Sequence, residues 1–185
     1  MNASEIIAQL QAAVPGAEYV EVATADAAQT PTVGTSVAYL LQTCAALRDT
    51  PGLEFVAFSD VTVADFYPHR DPRFDVVYHL VSPHRRARVR LKIRAAADDA
   101  VPTVTGIWPG AGWPEREVYD LFGIVFDGHP DLRRLLMPDD WEGYPLRKDF
   151  PVQVRKDAQT YMPLQVTEEE FKASLQRDRM TRPKA

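Results

Sequence analysis

Nine carboxylates lie between residues 115 and 149: Glu115, Glu117, Asp120, Asp127, Asp131, Asp139, Asp140, Glu142 and Asp149. Paired carboxylates at such density can perform acid–base hydrolysis, one protonated and one ionised. Arg116, Arg133, Arg134, Arg147 and Lys148 are interleaved with them. Alternating signs point instead to a structural ion-pair network or a docking surface, with freestanding hydrolysis the remote alternative.

The other chemistry-bearing residues are sparse. The histidines are His69, His79, His84 and His129. His79 and His84 are five apart, not the four of a helical metal pair, and read as solvated or locally hydrogen-bonded side chains. His129 precedes Pro130, which makes it extended or part of a turn. It is expected to fix a loop or touch a partner. Cys44 is the one cysteine, and a cluster or structural zinc takes four ligands. Among Leu40, Leu41, Ala45 and Leu47 it reads as a small buried hydrophobe. Gly110 and Gly112 form a Gly-x-Gly, but Glu115 stands where the dinucleotide loop needs its third glycine. No phosphate-cradling Gly-x-x-x-x-Gly-Lys is present either. The expectation is a chain with no catalytic, cofactor-binding or metal site of its own.

One further pattern is basic. Arg85, Arg86, Arg88, Arg90, Lys92 and Arg94 occur with no acid among them, and Val89, Leu91 and Ile93 alternate with the last four. In a strand this gives one apolar and one basic face. The basic face is either solvated and paired with neighbouring acids or a strip that meets an acidic partner.

The elements that must position these residues follow from periodicity. Ser4 is a candidate cap for a first helix bearing Ile6, Ile7, Leu10 and Val14, ended by Pro15-Gly16. A short strand is predicted at 19–22, then a loop or edge segment over 24–36. A second helix is predicted from about Val37 to Arg48, closed by Pro51-Gly52. Two-residue alternation then predicts strands at 53–58, 62–66, 74–81, 88–95 and 101–107, with a hairpin loop of about five residues at 82–86. Pro114 suits the first position of a short helix, with Glu115 and Glu117 in its first turn, Arg116 and Asp120 paired at i, i+4, and Gly123 as a left-handed cap. The fold class is α+β, helices on one face of a largely antiparallel sheet, followed by an extended C-terminal arm. The expected divisions are a 1–126 domain, an irregular 127–151 docking segment, and a 152–185 tail with a short helix near 168–178. That tail has too few apolar residues to order itself, and is expected to order on assembly.

Composition bounds the function. A 185-residue chain with 45% hydrophobic and 25% charged residues has the make-up of one globular domain. Its net charge of -5 argues against nucleic acid as the main partner. No apolar run approaches the ~20 residues of a membrane span, and the first residues lack the pattern of a signal peptide. The expected location is cytoplasmic, or peripheral on the cytoplasmic side of the cell membrane, with any membrane association held through a partner protein.

The ordered run from Glu115 to Pro151 resembles the signature of the 30 kDa subunit of respiratory complex I, the NADH-quinone oxidoreductase. The residues that carry the likeness are Glu115, Arg116, Glu117, Asp120, Leu121, Phe122 and Gly123, then His129, Pro130, Asp131, Arg133, Arg134, Leu135 and Leu136, then Gly143, Pro145, Leu146, Arg147, Lys148 and Asp149. Weaker likeness reaches back through Ile107-Trp108-Pro109 and the Arg73–Val81 strand to Asp65. Gly112, Pro114 and Tyr144 depart from the family's frequent Asn, aromatic and His. The resemblance implies a non-redox subunit of the hydrophilic arm that packs on the hydrogenase-like large subunit and supports the quinone-reducing module. NADH, FMN, iron–sulfur clusters and quinone would then bind on other subunits. Equivalent subunits of related membrane-bound hydrogenases or other donor–quinone complexes are the alternative. Within that run Glu115, Arg116, Glu117, Asp120, Phe122, Gly123, His129, Pro130, Asp131, Arg133, Arg134, Gly143, Pro145, Arg147, Lys148 and Asp149 are the expected partner interface, with Arg133, Arg134 and Arg147 forking to carboxylates or carbonyls across it.

Overall fold

The computed structural model describes residues 1–23 and 30–151, together with Glu169 and Lys172. Met1–Phe150 forms one compact unit and Pro151–Ala185 a second. The expected extended arm lies outside the described residues, as does its helix near 168–178 apart from Glu169 and Lys172, which are helical.

Helix α1 (Ala3–Ala13) is capped by Asn2, not Ser4. The Glu5 N–H donates to Asn2 Oδ1 at 2.8 Å and the Asn2 N–H donates to Glu5 Oε2 at 3.0 Å, a reciprocal box that satisfies two orphan donors. Ser4 lies inside the helix, and its hydroxyl donates to Glu21. Ile6 and Leu10 fall on the buried face. A 3-10 turn at Val37–Tyr39 leads into α2 (Leu40–Asp49), which buries Leu40, Thr43, Cys44 and Leu47. Burial pushes the Cys44 thiol up, as expected of a thiol that acts as a small core hydrophobe.

The main sheet has strands β1 (Val20–Glu21), β2 (Thr32–Thr35), β3 (Ala57–Asp65), β4 (Phe74–Ser82) and β5 (Ala87–Ala95), in the order β1-β2-β5-β4-β3. All neighbours are antiparallel except β2 and β5. The sheet is thus mixed. One side is apolar, with Phe74, Val76, Tyr78 and Leu80 of β4 and Val89, Leu91, Ile93 and Ala95 of β5 buried in the core that contains the helical Ile6, Leu10, Leu40 and Leu47.

Several expectations change. The segment read as a loop or edge contains β2, an interior strand. Its Thr-Val-Gly-Thr run has too few apolar residues to show alternation, and pairing on both sides holds it instead. The two strands expected at 53–58 and 62–66 are one strand, β3, interrupted by a bulge between Phe58 and Asp60. Leu53 and Phe55 are buried outside it, where the Phe55 N–H donates to the Leu47 carbonyl. The β4–β5 hairpin is as expected, but Ser82 pairs Ala87 and leaves four connecting residues.

The strand expected at 101–107 is only β6 (Ala100–Pro102), paired in parallel with β7 (Val125–Asp127) as a separate two-stranded sheet. After Pro102 the chain turns, and the Ile107 and Trp108 N–H groups both donate to the Val104 carbonyl. A 3-10 turn at Pro109–Ala111 then runs into α3 (Gly112–Phe122). Pro114 is the third residue of α3, not the first.

Candidate functional site

Helix α3 is the post to which the 127–150 segment is tied. Its Asp120 carboxylate is fully buried and accepts from three consecutive backbone donors, the N–H groups of Leu135, Leu136 and Met137, at 2.9, 2.6 and 2.8 Å. Arg134 Nη1 donates to the same carboxylate at 2.8 Å. Burial alone would raise this acid, but the three N–H groups and the guanidinium outweigh it and hold the carboxyl below its ordinary value. The expected Arg116–Asp120 pair therefore does not form. Arg116 reaches the Arg133 and Arg134 carbonyls at 3.2 Å each and lies 3.6 Å from the Asp131 carboxylate.

Glu115 lies in the first turn of α3, as expected, and is also buried. It accepts the Val104 N–H at 2.8 Å and the Thr103 hydroxyl. Burial raises its pKa, opposed by those two bonds and by nearby His129. His129 ties the loop to the start of α3. Its Nδ1 accepts the Asp131 N–H at 3.0 Å, so Nε2 carries the hydrogen and donates to the Gly112 carbonyl at 3.0 Å. Glu117 points to solvent, and Phe122 packs against the core.

The arginines divide by role. Arg134 also donates to the Trp141 and Gly143 carbonyls, at 2.8 and 3.1 Å. Arg147 donates to the Phe122 carbonyl at the C-terminal end of α3 and stacks over Tyr144 at 4.7 Å. The forked contacts expected across an interface are thus made inside the chain by these two residues. A loop rich in proline and glycine pairs only some of its own carbonyls, and long guanidinium forks satisfy others. Arg133 extends outward, with a side chain 75% exposed, and among the described residues it hydrogen-bonds to Asp131.

The far end of the segment is held by the sheet. Asp65, at the end of β3, accepts from Arg73 and from the Lys148 and Tyr67 N–H groups, and Arg73 also donates to Asp149 at 3.0 and 3.1 Å. The Lys148 side chain is exposed; only its backbone takes part. Burial opposes ionisation of Asp65, yet Arg73 and the two N–H groups lower its pKa from 3.8 to about 2. The native form thus holds the proton less tightly than the unfolded chain. The resulting stability, ~2 kcal/mol, is whole above about pH 4 and drains away as pH falls toward 2. An Asp65→Asn chain should lose stability less steeply over that window, the remaining slope coming from Asp120 and the other carboxylates held below their ordinary values; acid curves of unchanged slope would contradict this assignment.

Gly123 caps α3 in the left-handed region, at φ 74°, as expected. The structure adds a second demand. A Cβ there would lie 2.3 Å from the Tyr144 ring. Gly123→Ala should therefore cost more than the ~1–2 kcal/mol of the backbone alone and dislodge Tyr144, visible as altered near-ultraviolet circular dichroism. A melting temperature within a degree of the parent would show that the loop yields freely.

Among the remaining signature residues, Pro145 is half-buried, while Gly143 and Pro130 are exposed. Trp113, Leu136 and Leu146 are 65%, 61% and 50% exposed, large apolar side chains on an otherwise tethered frame. Nothing in the sequence separates these three from the apolar residues that pack. Among the described residues no three His, Cys, Asp or Glu side chains converge as metal ligands would.

Residues 33–156 match the family described as the respiratory-chain NADH dehydrogenase 30 Kd subunit. An NADH-quinone oxidoreductase subunit of Mesorhizobium japonicum is 49% identical over 138 residues, covering 70% of this chain and 68% of that protein. Its counterpart in Azorhizobium caulinodans is 49% identical over 146 residues, covering 75% and 69%. Among solved structures, a trypsin-resistant fragment (1-134) of Nqo5 is 30% identical with a TM-score of 0.53, and covers 71% of this chain and 100% of the fragment. A polypeptide of a membrane-bound sulfane sulfur reductase, an archaeal respiratory membrane complex, is 27% identical with a TM-score of 0.65, covering 80% and 85%. With the family match running from β2 through the tethered segment, this chain belongs to the 30 kDa subunit family of the respiratory-chain NADH dehydrogenase, the NADH-quinone oxidoreductase.

Proposed function

We propose that this chain is a non-redox docking subunit in the hydrophilic arm of a proton-translocating NADH-quinone oxidoreductase. In this reading α3 and the 127–150 segment meet the hydrogenase-like large subunit and so support the quinone-reducing module. The observation that carries it is the Asp120 network. It spends three backbone N–H groups, a buried carboxylate and the Arg134 guanidinium on holding a loop that leaves Leu136 and Leu146 exposed. Pre-ordering a loop lowers the entropic cost of binding through it. Trp113, Leu136 and Leu146 are then the apolar anchors, Arg133 and Glu117 the polar rim.

The chain contributes no catalytic centre in this reading. NADH, FMN, iron–sulfur clusters and quinone bind to other subunits, and the chain is held peripherally on the cytoplasmic side of the membrane through them. No described helix is long and apolar enough to cross a membrane. A second reading, an equivalent component of a related respiratory membrane complex, draws on the likeness to the sulfane sulfur reductase polypeptide. The 49% identity to NADH-quinone oxidoreductase subunits, against 27% there, favours the quinone-linked complex.

Hydroxyl-radical footprinting tests the reading. Trp113, Leu136 and Leu146 should label readily in the free chain and become protected several-fold in the purified complex. Equal labelling in both states would remove this surface from the interface.

A further inference from the structure

The cations of the β4–β5 hairpin are unevenly engaged. No acid lies between Asp75 and Asp98, and His84, Arg85, Arg86 and Arg88 are all exposed around the loop that joins the strands. Within the strands Lys92 is spent on Asp75, 3.1 Å away. At the loop Arg85 faces the exposed Glu54 at 3.3 Å. Arg86 and Arg88 make no hydrogen bond or ion pair among the described residues.

The loop is held in one shape. Pro83 fixes its own φ at the first loop position, the Arg86 N–H donates to the Pro83 carbonyl at 3.2 Å, and Ser82 pairs Ala87 behind it. Arg86 closes the turn in the left-handed region, at φ 50°. Glycine takes that conformation freely, whereas the Cβ of arginine crowds the backbone there. No contact of the guanidinium among the described residues offsets this strain. Residues held in such conformations cluster at binding sites and clamps.

Beside the loop lies a recess of ≈ 760 Å³, lined by Arg85, Arg86 and Arg88 together with Asn2, Glu21 and Thr30 among others. Glu21, the one acid among its described lining residues, already accepts the Ser4 hydroxyl at 3.0 Å. Three guanidinium groups against one engaged carboxylate leave the recess positive in a chain whose net charge is -5. It also lies far from the anchored end of the signature. β4 begins at Phe74, over which Arg147 stacks at 5.5 Å, and its nine residues carry the chain ~27 Å to Ser82.

We propose that the hairpin loop is a second docking point, seating a carboxylate-bearing loop of a partner polypeptide, with Arg86 and Arg88 forking to its Asp or Glu side chains. This contact is separate from that of α3 and the 127–150 segment, and requires only that the chain sits in a multi-subunit assembly. Two features favour a polypeptide over an anionic membrane. A flat headgroup surface does not enter the recess, and no large apolar side chain is exposed from Ser82 to Arg88 to insert beside the bases.

The test uses assemblies purified through a tag on the full-length chain. Arg86→Lys with Arg88→Lys keeps the charge and admits zero-length carbodiimide coupling. Cross-links should then join position 86 or 88 to an Asp or Glu of another polypeptide, which identifies the partner. Arg86→Gly separates the roles of the residue by sign. Its isolated chain should melt at or above the parent temperature, because glycine relieves the left-handed turn. The cross-linked partner should nevertheless dissociate on dilution at least about tenfold faster, and faster still from Arg86→Glu with Arg88→Glu. Protection of Trp113 and Leu136, read in the same assemblies, reports on the α3 surface alone, so failure of either contact is told from failure of the other. Cross-links absent or confined to Glu21 and Glu54 of the chain itself overturn the proposal. So does an unchanged dissociation rate, or an Arg86→Gly chain that melts several degrees lower, since the guanidinium then serves its own fold. Flotation of the isolated chain with phosphatidylglycerol vesicles, lost in Arg86→Glu with Arg88→Glu while no partner cross-links, assigns the loop to a membrane and also overturns it.

Discussion

Asp120→Ala is expected to be the most damaging single substitution in the described fold. It removes one acceptor from four donors at once, leaving the Leu135, Leu136 and Met137 N–H groups and one fork of Arg134 without their anion. Breaking a buried, hydrogen-bonded ion pair from one side costs about 3–5 kcal/mol. For a chain of this length that lowers the melting temperature by roughly 10 °C. Asp120→Asn should rescue only part, because its one amide oxygen can keep the three backbone donors while its NH2 then faces the Arg134 guanidinium. Exposed Glu117 is the control, and Glu117→Ala should melt like the parent. If Asp120→Ala also melts within a degree or two of the parent, the loop is held by something other than this carboxylate. The loss should extend beyond stability, since a released 133–137 turn no longer presents Leu136.

Much of this frame was legible in the sequence, and the reasons for the rest are specific. Helices α1 and α2, the β4–β5 hairpin and the Gly123 cap each rest on a local signal: a period, a turn or a glycine after the last apolar residue. β2 was not legible, because a strand held by neighbours on both sides needs no amphipathic pattern of its own. The Glu115 and Asp120 roles were misread for one physical reason. Local rules place helix acids in solvent or in i, i+4 pairs, whereas these two serve segments 11 to 17 residues away, Thr103–Val104 and Leu135–Met137. The signature's dense alternation of charge did identify a network. It could not show that Arg134 and Arg147 face inward while Arg133 faces out, because that depends on which carbonyls the loop leaves unpaired.

That division sharpens where docking should fail. Reversing Arg134 would unravel the loop and report on folding alone, so it cannot test an interface. Leu136→Glu with Leu146→Glu is the informative pair, since both side chains are already at least half in water. The isolated variant should keep its melting temperature, as exposed substitutions away from special features stay within about 0.5 kcal/mol. At an interface the same changes set two charges into an apolar contact. Anchors of this kind are each worth about 2 kcal/mol or more, which together weakens association by roughly 100-fold or beyond. The decisive measurement is the stoichiometry of the hydrogenase-like large subunit to this chain in affinity-purified assemblies from cells carrying Leu136→Glu/Leu146→Glu as their sole copy. Loss of the large subunit and of NADH-quinone reductase activity, from a chain that still folds, is the expected result. Normal stoichiometry and activity would contradict a docking role for α3 and the segment tied to it.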